Sequence, residues 1–173
     1  MKNKSLLKSV VVLTAICLIT AAILSAINYI TAPYIQKAEY EKEQAALRRV
    51  LPSGEEFTPL ELSELSLDKK IKAVYTEQGG GYAFKISVKG YKAGMVILCG
   101  IGADGTVCGA ECLSSAETLE KEKTFGLNFV GRTAGDVMSV DTVSGATKTT
   151  AAYRNAIKMA LEAFETLTKE GEK

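Results

Sequence analysis

The chain has 173 residues, and its 21 Lys and Arg residues nearly balance its 20 Asp and Glu residues. A net charge of +1 gives no basic field that could hold nucleic acid, so nucleic-acid binding is excluded. The sequence contains no His, which excludes imidazole acid–base chemistry and most catalytic zinc sites, so no catalytic side chain and no metal site is predicted.

The first predicted element is a membrane-spanning helix at residues 10–30. This stretch carries no charge and is long enough to cross a hydrocarbon core of about 30 Å. A cleaved secretory signal is the alternative, but the apolar run exceeds the usual ~7–15 residues, and no clear small-x-small cleavage site follows it.

The charges that flank this helix predict its orientation. Lys2, Lys4 and Lys8 precede it, whereas Lys37 and Lys42 follow it. Since basic residues are favoured on the inner side, residues 1–9 are expected in the cytoplasm and the domain outside it. The sequence thus predicts a single-pass protein of the cytoplasmic membrane, with the lipid bilayer as a partner.

Residues 31–59 are predicted to form a helical stalk and a linker. After Pro33 a helical pattern runs from Tyr34 to about Val50, and Pro, Gly and Ser mark the linker from Leu51 to Pro59. The domain proper is expected at residues 60–173.

Four strands are predicted in this domain. They are Ile71–Tyr75, Tyr82–Val88, Met95–Ile101 and Thr106–Leu113. Glycines separate the second strand from the third, and Asp104-Gly105 separates the third from the fourth, which favours an antiparallel meander. A disulfide between Cys99 and Cys108 across neighbouring strands is conceivable, but free thiols are the favoured interpretation, and the oxidation state of Cys112 is equally open.

The sequence G-x-G-x-x-G at Gly100, Gly102 and Gly105 is interpreted as turn glycines. A dinucleotide fingerprint must open a helix, and strand-like residues follow here instead. From about Thr147 apolar residues recur at helical spacing and predict a last helix that ends before the polar tail at residues 167–173. The predicted fold class is therefore α+β: one transmembrane helix, then a twisted antiparallel sheet flanked by helices.

The stretch DTVSGATKTT, at residues 141–150, lies at the start of this last helix. Helix N-termini present free N–H groups and a partial positive charge, which suits a phosphate. Gly145 allows close approach of the backbone, and Ala146 takes little room. Ser and Thr at a helix start are also ordinary caps, so the pattern by itself leaves capping and anion binding open.

The heptad Asp141 to Thr147 resembles the D-x-x-(S/T)-G-A-T motif of the FMN-binding domain family. That family includes the G subunit of the Rnf electron-transport complex and the related C subunit of the sodium-pumping NADH:quinone reductase. The run GYAFKISVKGYKAG followed by ILCGIGADGTV also resembles the Rnf protein. The resemblance implies an FMN-binding domain whose FMN is joined through its phosphate to a threonine.

The resemblance also implies roles for individual residues. Thr147 would carry the FMN, with Thr149 and Thr150 as alternative acceptors, while Ser144, Gly145 and Ala146 would shape the phosphate pocket. Asp141 would be read by a separate flavin transferase. The family's E-T-P-G-L-G loop lies against the flavin, and here Glu117-Thr118-Leu119 would match its start, although the Pro is missing.

The implied function is that of a membrane-anchored electron carrier. The chain would be one subunit of an ion-translocating ferredoxin:NAD oxidoreductase, with the other membrane and redox subunits of the Rnf complex as partners and no substrate turnover when isolated. Two alternatives stay open: a stand-alone flavinylated ectodomain for extracellular electron transfer, and a non-redox, membrane-anchored interaction domain.

Overall fold

A computed structural model describes residues 2–62, 67–118 and 121–171 of the chain. The chain divides into two compact units, Met1–Lys42 and Glu43–Lys173. The first helix, α1, spans Lys2–Val50 and contributes to both units.

The N-terminal unit contains the apolar part of α1. From Leu7 onward the helix is long and apolar enough to cross a membrane, with a stretch of mean hydropathy 2.8 whose side chains are not buried in the protein. The hydroxyl groups of Thr14, Thr20 and Thr31 donate to backbone carbonyls one turn earlier, at 2.9–3.0 Å. These polar groups are therefore satisfied within the helix, as a hydrocarbon environment requires.

The predicted transmembrane helix and the predicted helical stalk form one continuous helix, α1. Pro33 lies inside α1. Proline removes one backbone hydrogen bond, but helical residues on both sides can continue the helix through it, which the sequence pattern alone did not indicate.

The C-terminal unit is built on one antiparallel sheet. Its strands are β1 (Thr58–Pro59), β2 (Ile71–Thr76), β3 (Tyr82–Val88), β4 (Met95–Ile101) and β5 (Val107–Ser114), and they pair in chain order. The predicted α+β class and the antiparallel meander are confirmed. The short β1 was missed because two residues inside a proline-marked linker carry no strand signal.

One face of the sheet is covered by the last helix, α3 (Thr147–Gly171). Phe84 and Ile97 from the central strands pack with Tyr153 and Leu161 of α3, and all four are at most 2% exposed. The helix extends beyond its predicted end, since Leu167 of the expected polar tail is 8% exposed and belongs to this core.

The other face is covered by the end of α1. Ala46, Leu47 and Val50 are at most 1% exposed and pack in one cluster with Leu98 of β4. The second compact unit begins at Glu43, within the segment 31–59 that the sequence predicts as stalk and linker. Charged residues flank these apolar residues in the sequence, so the sequence pattern did not indicate that they are buried.

Cys99 and Cys108 lie on opposite faces of the sheet. Cys99 packs with the α3 core and Cys108 with the α1 cluster, and neither they nor Cys112 form a disulfide within the described residues. β4 pairs Gly100 with Gly109 and Ile101 with Val107, so Cys108 lies in a bulge that reverses the alternation of the strand. Its side chain therefore points away from Cys99, which does not favour a disulfide between them. Burial raises the pKa of the Cys99 thiol, so this thiol stays protonated at neutral pH.

Short helices connect β5 to α3. α2 spans Glu122–Phe125, and two single 3₁₀ turns follow at Gly126–Phe129 and Val137–Ser139. Phe125 and Phe129 pack edge-on and stacked, respectively, against Tyr153, which fixes this connection over the first half of α3.

Candidate functional site

A cavity of about 450 Å³ lies at the N-terminus of α3. Residues of three connections line it: the β3–β4 turn, the segment from β5 to α2, and the loop that enters α3. They are Tyr91, Glu117, Thr118, Lys121, Glu122, Gly145, Ala146, Thr147, Lys148 and Thr149. The cavity is large enough for a ligand of drug-like size.

The first turn of α3 presents backbone N–H groups that the side chain of its capping residue cannot satisfy. The amide of Thr150 donates to the carbonyl of Ala146 at 2.9 Å, which makes Ala146 the residue that caps the helix. Alanine offers no side-chain acceptor, unlike the Ser, Thr, Asp or Asn usually found there. The N–H groups of Thr147 and Lys148 are therefore suited to an anion.

The loop before α3 is held by Thr150 and Gly145. The Thr150 hydroxyl accepts from the amide of Val143 at 3.1 Å and donates to the carbonyl of Ala146 at 3.0 Å. Gly145 adopts a φ of 80°, which L-residues with a side chain rarely adopt. Together they turn the chain so that Thr147 begins the helix.

The three threonines of this turn differ in exposure. Thr150 is fully buried, and Thr149 is 5% exposed with its hydroxyl bound to Glu117. Thr147 is exposed and lines the cavity. Within the described residues, its hydroxyl is the one of the three that no hydrogen bond engages, so it is the hydroxyl available to a ligand.

Glu117 joins the three parts of the site. Its Oε1 accepts from the amide of Lys92 at 2.8 Å, and its Oε2 accepts from the Thr149 hydroxyl at 2.5 Å. A Cβ at Gly90 would lie 2.7 Å from Oε1, so only glycine leaves room for this contact. Both carboxylate oxygens thus accept hydrogen bonds from the protein itself. A contact of Glu117 with a flavin stays a prediction.

The structure brings together most, but not all, of the residues predicted from the sequence. Gly145, Ala146 and Thr147 line the same cavity as Glu117 and Thr118. Two others do not line it, namely Asp141 and Ser144, and both are exposed. Leu119 lies outside the described residues.

Four lining residues were not predicted: Tyr91, Lys121, Glu122 and Lys148. Tyr91 is 65% exposed in the turn between β3 and β4, and a large aromatic ring between two glycines was a signal that could have been read. Lys121 and Glu122 sit in a charged run that resembles an ordinary surface. Only the fold shows that they face a cavity.

The arrangement is suited to an aromatic ligand that carries a phosphate. The first turn of α3, with Lys148 within it and Lys121 nearby, provides the positive end for the phosphate. The exposed ring of Tyr91 offers a surface on which a planar ligand can stack. These features fit FMN, which combines a phosphate, a hydroxylated chain and a planar ring.

Comparisons with known proteins agree with this geometry. The family model for the FMN-binding domain matches residues 90–162, which contain every residue that lines the cavity. The model for the RnfG N-terminal region matches residues 1–50. The chain is also 24% identical, over 96% of its length and 95% of the relative's, to the G subunit of the Na⁺-translocating ferredoxin:NAD⁺ oxidoreductase complex of Acetobacterium woodii.

The two family models cover the apolar helix and the cavity-bearing half of the domain in the order in which the chain presents them. The relative aligns from end to end, so the agreement is not confined to one motif. The chain is therefore similar to the FMN-binding domain over residues 90–162 and to the RnfG N-terminal region over residues 1–50.

Proposed function

We propose that this protein is a membrane-anchored FMN electron carrier that works as one component of an Rnf-type complex. The observation that carries the proposal is the exposed hydroxyl of Thr147, which lies at the N-terminus of α3 and lines a cavity that falls wholly within the FMN-binding match. FMN supplies the redox chemistry in such a protein, and the chain supplies position and electrostatics.

The FMN is attached through its phosphate to Thr147. The ester forms between Thr147 Oγ1 and the FMN phosphorus while the pyrophosphate bond of FAD breaks, AMP leaves, and the hydroxyl proton is lost to solvent. Threonine is a weak nucleophile without an activating base. Both oxygens of the neighbouring Glu117 are engaged elsewhere, which supports attachment by a separate flavin transferase.

Backbone and side-chain groups of the cavity hold the cofactor. The first turn of α3 and Lys148 bind the phosphate, Gly145 lets the backbone approach it, and Tyr91 packs on the ring. Asp141 acts in recognition by the transferase, and Ser144 precedes Gly145 at the phosphate end of the site; both are exposed, and neither lines the cavity. A covalent bond keeps the flavin from being lost to the medium.

The apolar part of α1 anchors the carrier in the cytoplasmic membrane beside the other components of the complex. The lysines that precede the span favour an inner N-terminus and an outer FMN domain. Protease treatment of intact cells tests this: the domain is expected to be removed, whereas an inner domain would survive until the cells are broken. The isolated protein is not expected to turn over NADH.

The deciding experiment is the intact mass of the protein from its native membrane, with peptide mapping across residues 141–154. The expected result is an added mass of FMN less one water on Thr147. An unmodified peptide, from a host shown to contain the transferase, would reject the proposal. That outcome would favour a non-redox interaction domain.

A stand-alone flavinylated ectodomain for extracellular electron transfer would show the same added mass. The relative is named as part of a complex, which favours a complex here, and purification distinguishes the two. A member of a complex co-purifies from mild detergent with several hydrophobic partners. A stand-alone ectodomain purifies alone.

A further inference from the structure

Glu122 is a buried carboxylate at the edge of the cavity. It begins α2, lines the cavity and is 2% exposed. Its Oε2 atom has no hydrogen-bond partner in the described part of the chain. A buried polar oxygen without a donor is costly to stability, so such atoms at a ligand cavity indicate a donor that comes from the ligand.

Neighbouring groups of the protein do not meet this need. Glu122 is among the groups that raise the pKa of the nearby Tyr153 hydroxyl, after burial and interactions with Cys99, Cys112 and Glu111. Yet that hydroxyl also lacks a partner, so the two groups are not bonded to each other. Among the described residues no ion pair joins Lys121 to Glu122.

We propose that Glu122 accepts a hydrogen bond from the bound FMN, an inference that rests on the proposed function. FMN offers two kinds of donor, the hydroxyl groups of its ribityl chain and the N3–H of its ring. Its phosphate is anionic and is repelled by a carboxylate. Glu122 therefore holds the part of the cofactor beyond the phosphate, while the first turn of α3 holds the phosphate itself.

The test compares melting temperatures of the full chain in detergent with and without flavin. Glu122→Met keeps the volume of the side chain and removes both acceptor oxygens. It is made in the flavin-loaded protein and in a flavin-free Thr147→Val background. Glu122→Gln, which keeps one acceptor oxygen, provides the conservative variant, and Glu162→Met on the exposed face of α3 provides the matched control.

In the flavin-free background, Glu122→Met is expected to leave the melting temperature unchanged or to raise it, because the buried Oε2 atom has no partner to lose among the described residues. In the loaded protein it is expected to lower it by roughly 5 °C or more, as the loss of a hydrogen bond to a charged group predicts. Glu122→Gln is expected to recover part of this loss. Glu162→Met should act equally in both backgrounds.

An equal loss in both backgrounds, or failure of the flavin-free variant to fold, would show that the carboxylate serves the protein alone and would overturn the inference. So would no loss in the loaded protein. If Glu122→Met folds without taking up flavin while Glu122→Gln loads fully, the inference is supported, since the two differ in an acceptor oxygen.

The visible spectrum of loaded Glu122→Met distinguishes the two donors. A shifted flavin absorption identifies the ring N3–H, and an unchanged spectrum with a lowered melting temperature identifies a ribityl hydroxyl. If the wild-type protein carries no FMN on Thr147, the proposed function fails as well. If it carries FMN and Glu122→Met behaves as wild type, only this inference fails.

Discussion

The hydroxyl of Thr149 donates a hydrogen bond of 2.5 Å to Oε2 of Glu117, and so joins the first turn of α3 to the segment after β5. Two more hydrogen bonds extend this contact to the β3–β4 turn and to Ser115. Three connections that are far apart in the chain are thereby held around one cavity before any ligand binds there.

Replacing Thr149 by Val is expected to destabilise the flavin-free protein by about 1–3 kcal/mol, because a half-buried carboxylate oxygen loses its donor. Thermal unfolding in detergent measures the change. Thr166→Val is the matched control, since that hydroxyl is exposed and bonds only to the carbonyl of Glu162 at 3.0 Å. Its effect should stay within about 0.5 kcal/mol. An equal loss of stability in the two variants would contradict the inference that Glu117 holds the connections around the cavity together.

Thr147→Val is expected to abolish covalent flavin, whereas Thr147→Ser should retain part of it because a hydroxyl remains. The mass of the purified protein reports the attachment. Thr150→Ser serves as the comparison, since it preserves the hydroxyl that holds the loop. Full flavin on the Thr147→Val chain would assign the acceptor to another residue.

Tyr91→Ala is expected to raise the fluorescence of the bound flavin, because a stacked phenol quenches it, and to reduce the stabilisation by flavin by about 1 kcal/mol. Tyr91→Phe keeps the ring and should retain most of that stabilisation. Fluorescence and melting temperature are measured on protein with equal flavin content. A Tyr91→Ala protein with wild-type fluorescence would mean that the ring does not contact the flavin.

Gly109→Ala is expected to destabilise the domain by about 1–3 kcal/mol. The added Cβ would lie 2.8 Å from the Cα atom of Val50, so the end of α1 must move away from β5. Gly135→Ala is the control, because its nearest atom lies 3.9 Å from the added Cβ. Denaturant unfolding of the two variants makes the comparison, and equal stability would refute close packing of α1 on the sheet.

Acid sensitivity is expected at Asp136, whose pKa is lowered from its ordinary 3.8 by the hydrogen bond from the Thr133 amide and then by Arg132. The folded protein thus favours the charged form. Its contribution to stability is complete above the ordinary pKa and is lost as the pH falls below about 4. Asp136→Asn should lower the melting temperature at neutral pH and have a smaller effect in acid. A difference that does not change with pH would contradict this.

The sequence predicted the sheet well because local signals specify it. Apolar and polar residues alternate from Tyr82 to Val88, and turn glycines delimit the strands on both sides, so the bounds of β3 and β4 were predicted correctly. The burial of Leu47 could not be read in the same way. It depends on Gly100 and Gly109, whose missing side chains make room for α1.

In the candidate site, too, some residues could be predicted from local sequence and others depend on tertiary packing. The heptad ending at Thr147 indicated a helix N-terminus from local residues, and its resemblance to the flavin motif implied that Thr147 is the acceptor. Tyr91 and Glu122 reach the cavity from other connections, and the charged run around Glu122 does not point to a ligand. Their positions follow from tertiary packing, above all from the hydrogen bonds of Glu117.

The end of α1 also determines where the protein can be cut. A soluble version that began at residue 60, the predicted start of the domain, would leave Leu98 and the glycines of β4 and β5 without their cover. Such a fragment would present an apolar sheet face to water and would tend to aggregate. A version that keeps Glu43 retains its bonds to Tyr75 and Lys85 as well. The last turns of the membrane helix are thus part of the water-soluble domain.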